Sequence, residues 1–317
     1  MRWLVLLWLL LAVPARADLE EVVLVLDPGH GDRAWGEVMA DPGACAESIH
    51  GTAWECCFTW DTAMRLKRAA EARGAQVFLT LQDPRGDYRP RPWSPDSFPD
   101  VTDGSFAYKS LVEVPEPSTV EAALWSRAAT ANRVYREHPS KRVYFLSLHF
   151  DSTAPELAGI SFYYPTWEGS GGSFVAVLQE EIRLAGRQRA SLHTGRERGL
   201  AQPHAFAVLS QSENPDSYLI ELGNIRSRDA EGKNPDLWRM RSPETRQAYA
   251  ELILRAAARD AREPRGRAPG KPPIRLRWIL LSALALTIGL WMLADRLRKR
   301  APGAAGTEAR SANQGGL

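Results

Sequence analysis

The chain has 317 residues, 44% hydrophobic and 25% charged, with a formal net charge of +2. That is the composition of an ordinary globular protein, long enough for one large domain or two small ones, and it excludes general disorder. A charge so near neutral, with the basic excess gathered toward the C-terminus, excludes nucleic acid as a partner.

Residues 1–17 carry a positive start at Arg2, an apolar stretch from Trp3 to Val13 and the small-x-small site Ala15–Ala17. This predicts a secretory signal peptide, with an uncleaved anchor helix as the alternative, and an exported body on either reading. The apolar run Val22–Leu26 predicts a strand covered on both faces. It leads into "LDPGHGD" (26–32), where His30 sits between two glycines. A glycine-flanked turn bends sharply and leaves its side chain accessible, which suits a ligand or catalytic group better than a core residue.

Cys45, Cys56 and Cys57 lie close together in an exported domain, where oxidation is permitted. One disulfide is expected, from Cys45 to Cys56 or Cys57, and the lack of a C-x-x-C spacing weighs against a thiolate metal site. A helix is predicted over 54–73, with Phe58, Thr62, Leu66 and Ala69 or Ala70 on one stripe and Gly74 as its stop. "AQVFLTL" (75–81) is the next strand, and the strand, helix, strand order predicts a parallel or mixed sheet.

From 82 to 118 the chain is rich in Pro, Asp, Ser and Arg without periodicity, a long loop or insertion. Then follow a helix over 119–136, strands over 142–148 and 159–164, a helix over 173–186, a strand over 217–222 and a closing helix over 243–259. The predicted fold is an α/β single domain over 18–260, with a central, mostly parallel or mixed sheet flanked by helices, plus a C-terminal transmembrane helix. A basic Pro/Gly linker (261–275) leads to that helix at 276–295. Arg296, Arg298, Lys299 and Arg300 follow it, so the positive-inside rule assigns the tail 296–317 to the cytoplasm and ties the exported domain to the membrane.

The partners of His30 emerge by position. His149 ends the strand "YFLSLH" and Glu221 lies near the end of "YLIELG", so three strands deliver polar groups at their carboxyl ends, where parallel sheets form sites. Glu55 opens a helix three residues before Phe58, on the same inward stripe, where an unpaired carboxylate is costly to bury. A divalent ion removes that cost. Two imidazoles and one carboxylate leave an open position on one Zn2+ ion for water, the ligand set of hydrolytic zinc sites. Glu221 is then the spare carboxylate that moves a proton from water to a leaving nitrogen. Weaker candidates are Asp27, as orienter of the turn or of the metal site, Arg127, as a helix-positioning or substrate group, and His50. For His50 a solvated loop position is the plainer reading, as for His204, His138 and His193.

These motifs together resemble the zinc-dependent N-acetylmuramoyl-L-alanine amidases, over roughly residues 22–258. "VLDPGHG" is followed by Glu55 at the head of a helix ending in "EARGAQVFLT", then "RAATAN" (127–132), "SLHFDS" (147–152), "RGLAQPHAFAVL" (198–209) and "YLIELGNI" (218–225). The resemblance implies a single α/β domain, zinc on His30, Glu55 and His149, and Glu221 in catalysis. The implied reaction is hydrolysis of the amide between N-acetylmuramic acid and L-alanine of peptidoglycan, in the periplasm or other extracytoplasmic space, with an activator protein as a further partner. The chain departs from the family pattern between His30 and Glu55, at Leu81 and at "NIRS" after the Glu-x-Gly. Two other readings share the fold: an inactive wall-binding or regulatory protein, and a zinc amidohydrolase of another N-acyl amino acid or peptide.

Overall fold

The computed structural model describes residues 18–31, 43–47, 52–82, 109–110, 120–167 and 169–263. The chain divides into two units, 1–271 and 272–317, and all described residues belong to the first. Strand β1 (Val22–Pro28) is buried along its whole length. Its side chains alternate between two cores, as the period of a strand requires. Val22, Leu24 and Leu26 enter one core, Val23 and Val25 the other. Helices must therefore cover both faces.

After β1 come helix α1 (Glu55–Glu71), strand β2 (Gln76–Leu79), helix α2 (Val120–Glu137) and the long strand β3 (Arg142–Asp151). Strand β4 (Ser161–Tyr164), helix α3 (Gly172–Leu184), strand β5 (Ala201–Pro203) and the short helix α4 (Ala207–Ser210) follow. The chain then forms β6 (Ser217–Asn224), α5 (Pro235–Arg241) and α6 (Pro243–Ala261). The six strands form one sheet in the order β5-β4-β6-β3-β1-β2. From β6 to β2 all neighbours are parallel, while β4 runs antiparallel to β6 and pairs in parallel with β5. The sheet is mixed, within the predicted class.

Each helix takes the face its apolar stripe allows. Phe58 and Leu66 of α1, Phe174 and Leu178 of α3, and Leu252 and Ile253 of α6 fill the larger core. Ala131 and Val134 of α2, with Val208 and Leu209 of α4, cover the other side. The stripe predicted for α1 is buried at Phe58, Thr62, Leu66 and Ala70, with Ala69 half-exposed. Gly74 ends the helix as expected, at φ 89°, a conformation open to glycine at little strain. Helix α6 begins with Ser242, whose hydroxyl accepts from the Thr245 amide at 3.1 Å, and with Pro243 as its first residue, a favoured helix opening.

Two expectations are corrected. No helix among the described residues is long and apolar enough to cross a membrane. Helix α6, for example, alternates its buried stripe with charged residues such as Glu251, Arg255 and Arg259, which suits packing on a sheet and not a lipid environment. The segment 276–295 assigned to the transmembrane helix, the linker, the tail, the signal segment 1–17 and most of 82–118 lie outside the described residues. Nor is the expected disulfide present: no disulfide joins Cys45, Cys56 and Cys57. Cys56 and Cys57 instead pack in the larger core from the first turn of α1, as small apolar side chains.

Two helices and one strand escape a reading by periodicity. Strand β5 is three residues long at the sheet edge, and α4 is a single turn. Helix α5 carries its signal in "NP": the Asn234 side chain accepts from the Leu237 amide and Pro235 opens the first turn, the N-cap followed by proline of a helix start.

Candidate active site

The register of the sheet brings the strand-end groups together. Pro28 of β1 pairs with Leu148 of β3, and Glu221 of β6 pairs with His149. His30 therefore stands just past the end of β1, beside His149, at the same carboxyl edge as Glu221. The two imidazole rings have centroids 5.1 Å apart.

Glu55 reaches this edge from the first residue of α1. Its Oε1 lies 3.0 Å from His149 Nδ1 and its Oε2 lies 3.2 Å from His30 Nε2. Two backbone amides also donate to it, Ala44 to Oε2 at 2.9 Å and Phe150 to Oε1 at 3.0 Å. Burial opposes its charge, yet the hydrogen bonds from His149 and His30 hold the carboxyl well below the usual range. Among the described residues, His30, Glu55 and His149 form the one group of side chains suited to a metal ion, with ligand atoms all within 4.8 Å of one another.

Glycine makes the room. A Cβ on Gly29 would sit 2.5 Å from the His149 ring, and one on Gly43 would sit 2.5 Å from His30 Cδ2 and 2.8 Å from Glu55 Oε2. The turn itself is tied down at three successive carbonyls. Arg127 Nη1 donates to Pro28 O at 2.6 Å and its Nη2 to His30 O at 2.8 Å, while Thr59 Oγ1 donates to Gly29 O at 2.8 Å. Arg127 Nη1 also meets Asp27 Oδ1 at 2.6 Å. Asp27 accepts in addition from Thr80 Oγ1 at 2.5 Å and Ser147 Oγ at 2.6 Å. Arg127 is thus buried beneath the turn, hydrogen-bonded to Asp27 and to two of the turn's carbonyls.

Glu221 differs from every other acid here. Its Oε2 is out of contact with water and has no hydrogen-bond partner. Burial pushes its carboxyl well above the ordinary value, the charges of Glu55 and Asp151 add to that, and Arg189 and His30 oppose it. A carboxyl raised in this way is suited to carry a proton.

Several groups escape the sequence reading. Ser147 had a signal, a hydroxyl two residues before His149 in an otherwise apolar strand and so on the same face. Thr59 and Thr80 had none. Arg189, in a stretch without periodicity, is buried at 5% exposure and donates from Nη1 to Asp151 Oδ2 at 2.6 Å. Of the remaining histidines, His204 stacks on Phe206 at 3.9 Å. His138 places Nδ1 2.9 Å from Val134 O at the end of α2, and His193 is exposed. His50 lies outside the described residues.

Residues 24–259 match the family described as N-acetylmuramoyl-L-alanine amidase. The chain is 26% identical over 257 residues to an N-acetylmuramoyl-L-alanine amidase of Mycobacterium tuberculosis, an alignment covering 76% of this chain and 87% of that protein. Among solved structures it is similar to an N-acetylmuramyl-L-alanine amidase from Mycobacterium smegmatis, at 25% identity and a TM-score of 0.50, covering 76% of this chain and 96% of the other.

Proposed function

The chain belongs to the N-acetylmuramoyl-L-alanine amidase family and cleaves the amide between N-acetylmuramic acid and L-alanine in peptidoglycan; from that premise we propose that it does so with one zinc ion held by His30, Glu55 and His149, and with Glu221 moving the proton. The observation that carries this reading is the convergence of two imidazole nitrogens and a carboxylate from three different elements, beside a carboxylate oxygen that nothing else engages. The donor set fits the ion: nitrogen and oxygen ligands, three in number, leave a fourth position open, as in hydrolytic zinc sites. When bound, zinc would polarise the scissile carbonyl and acidify an attacking water.

The rest of the chemistry belongs to the chain. Gly29 and Gly43 keep backbone close to the rings without steric conflict. The amides of Ala44 and Phe150 fix the carboxylate of Glu55 between the two imidazoles. Glu221 takes a proton from the attacking water and returns it to the nitrogen of the departing L-alanine, so that the leaving group departs as an amine. The wall substrate places this reaction outside the cytoplasmic membrane.

Digestion of purified sacculi by the zinc-loaded protein, followed by mass spectrometry, tests the reading. Release of free stem peptides is expected, and Glu221→Ala is expected to abolish it while the protein keeps about one zinc per chain. Activity retained in that variant would reject Glu221 as the proton carrier.

A further inference from the structure

Arg189 carries two nitrogens, Nε and Nη2, that are buried and have no hydrogen-bond partner. Its third nitrogen, Nη1, is anchored on Asp151, two residues beyond His149 on β3. Unpartnered buried donors on a guanidinium are rare, because each loses water without replacement. The side chain is not stranded in an apolar core. Its backbone amide donates to Ile160 O at 3.0 Å, so Arg189 runs alongside the start of β4, and Ser161 there pairs in register with Glu221. Ser161 Oγ and Glu221 Oε2 are buried and unpartnered as well. The amino end of β4 therefore meets the carboxyl edge of β3 and β6, and unpartnered buried donors and an unpartnered buried acceptor lie on these neighbouring segments. The charges that Glu221 senses there are those of Glu55, Asp151, Arg189 and His30.

Resting on the assignment of Glu221 as proton carrier, we propose that Arg189 is its positioning residue, with Asp151 holding the guanidinium and the two unengaged N–H groups supplying the partner that Glu221 Oε2 lacks. Charge-assisted bonds from a planar guanidinium fix direction as well as charge. Asp151 leaves those donors free by taking only Nη1. Arg189 then acts on turnover and not on metal capture, since it touches none of His30, Glu55 or His149 in the hydrogen bonds it makes. The Asp151 to Arg189 to Glu221 chain thereby links the loop after β3 to the reacting carboxyl.

The test uses the full-length zinc-loaded protein and four variants: Arg189→Gln, Arg189→Lys, Glu221→Gln and the Arg189→Gln/Glu221→Gln pair. Zinc content, melting temperature, kcat and KM on a soluble muropeptide are measured for each. Arg189→Gln is expected to lower kcat by on the order of 10- to 100-fold, the worth of one charged hydrogen bond, with KM and zinc content within about twofold of wild type. In the double variant, the loss at position 189 is expected to vanish, because its target is gone. Arg189→Lys, which keeps the charge but not the fork, is expected to fold and to recover only part of kcat. Should Arg189→Gln fail to fold, the lysine variant decides, and a wild-type kcat in it overturns the proposal. So does a multiplicative loss in the double variant, or a fall in kcat that tracks zinc loss. Activity surviving in Glu221→Gln alone would instead overturn the assignment of Glu221, a distinct failure.

Discussion

His30 is the single non-glycine residue with positive φ, 63°, among the described residues, and its backbone strain is held by its surroundings. Left-handed geometry at a residue with a Cβ costs roughly 1–2 kcal/mol, and the carbonyls of Pro28, Gly29 and His30 are each fixed by a donor from α1 or α2. The space beside it is equally constrained. Gly43→Ala combines a Cβ 2.5 Å from the His30 ring with a φ of 69°, and a displacement near 1 Å at such a site costs about 100-fold in rate. Purified Gly43→Ala is expected to lose at least that much kcat, and to bind zinc more weakly by equilibrium dialysis. Wild-type zinc affinity would contradict the packing described for the two rings.

The two acids of the site work in opposite directions on stability. The Glu221 carboxyl stands above its ordinary value in the metal-free fold. Its contribution is full below the unfolded value, about 4.3, and is lost as the pH rises through the folded value. Glu55 is held below its ordinary value, so its contribution is present above the unfolded value and is lost as the pH falls. Replacing Glu221 by Gln removes the alkaline-side loss alone. Calorimetry on the chelated protein at pH 7 is expected to show a higher Tm for Glu221→Gln than for wild type, with the difference shrinking toward pH 4. A lower Tm at pH 7 would show that Glu221 is already paired.

At the scale of elements, the site is assembled from separate pieces that each have their own reason to form. Helix α1 presents Glu55 because its first residue lies where the Ala44 carbonyl accepts the Glu55 amide at 2.9 Å. Helix α2 contributes Arg127, whose removal would leave Asp27 buried without its ion partner. Breaking a buried pair from one side costs about 3–5 kcal/mol, so Arg127→Met is expected to lower unfolding free energy by that amount in urea titration and to release the His30 turn. An equally stable, fully active variant would remove Arg127 from the positioning of the site. The Ser242 hydroxyl, at the start of α6, makes its hydrogen bonds to Glu244 and the Thr245 amide and to no site residue, and there the opposite result is expected. Ser242→Ala loses one N-cap hydrogen bond and about 1 kcal/mol, with zinc content and kcat unchanged; a change in kcat would couple α6 to the site.

For the whole molecule, metal is expected to act as a brace between β1, α1 and β3. Zinc at about a hundredfold above its Kd adds about 2.7 kcal/mol, which is about 5–10 °C in Tm for a domain of this size. Chelation is expected to lower the Tm by that much and to abolish peptide release, and zinc to restore both, while His30→Ala shows no response to the ion. A Tm indifferent to zinc in the wild-type protein would remove the metal from the reading.

Much of this was legible along the chain because it is local. The continuous apolar run "VVLVL" sets a strand buried on both faces, the Phe58, Thr62, Leu66 spacing sets the inward stripe of α1, and Gly74 ends that helix. The three strand-end groups and the helix-borne Glu55 could be named because a parallel sheet delivers successive strand ends to one edge. A long apolar segment near the C-terminus was equally legible as a composition, yet the helices described here are amphipathic and none has the length and apolarity to cross a membrane. Thiols near one another in sequence gave no bond, since a disulfide depends on the distance and direction of Cβ vectors and not on spacing. Register was decided only by the tertiary structure. It set Glu221 against His149, laid Arg189 beside the start of β4, and left one carboxylate oxygen and two guanidinium nitrogens buried without hydrogen-bond partners. Local periodicity fixes which way a side chain points from its own backbone, whereas the partner it meets depends on which distant strand lies alongside.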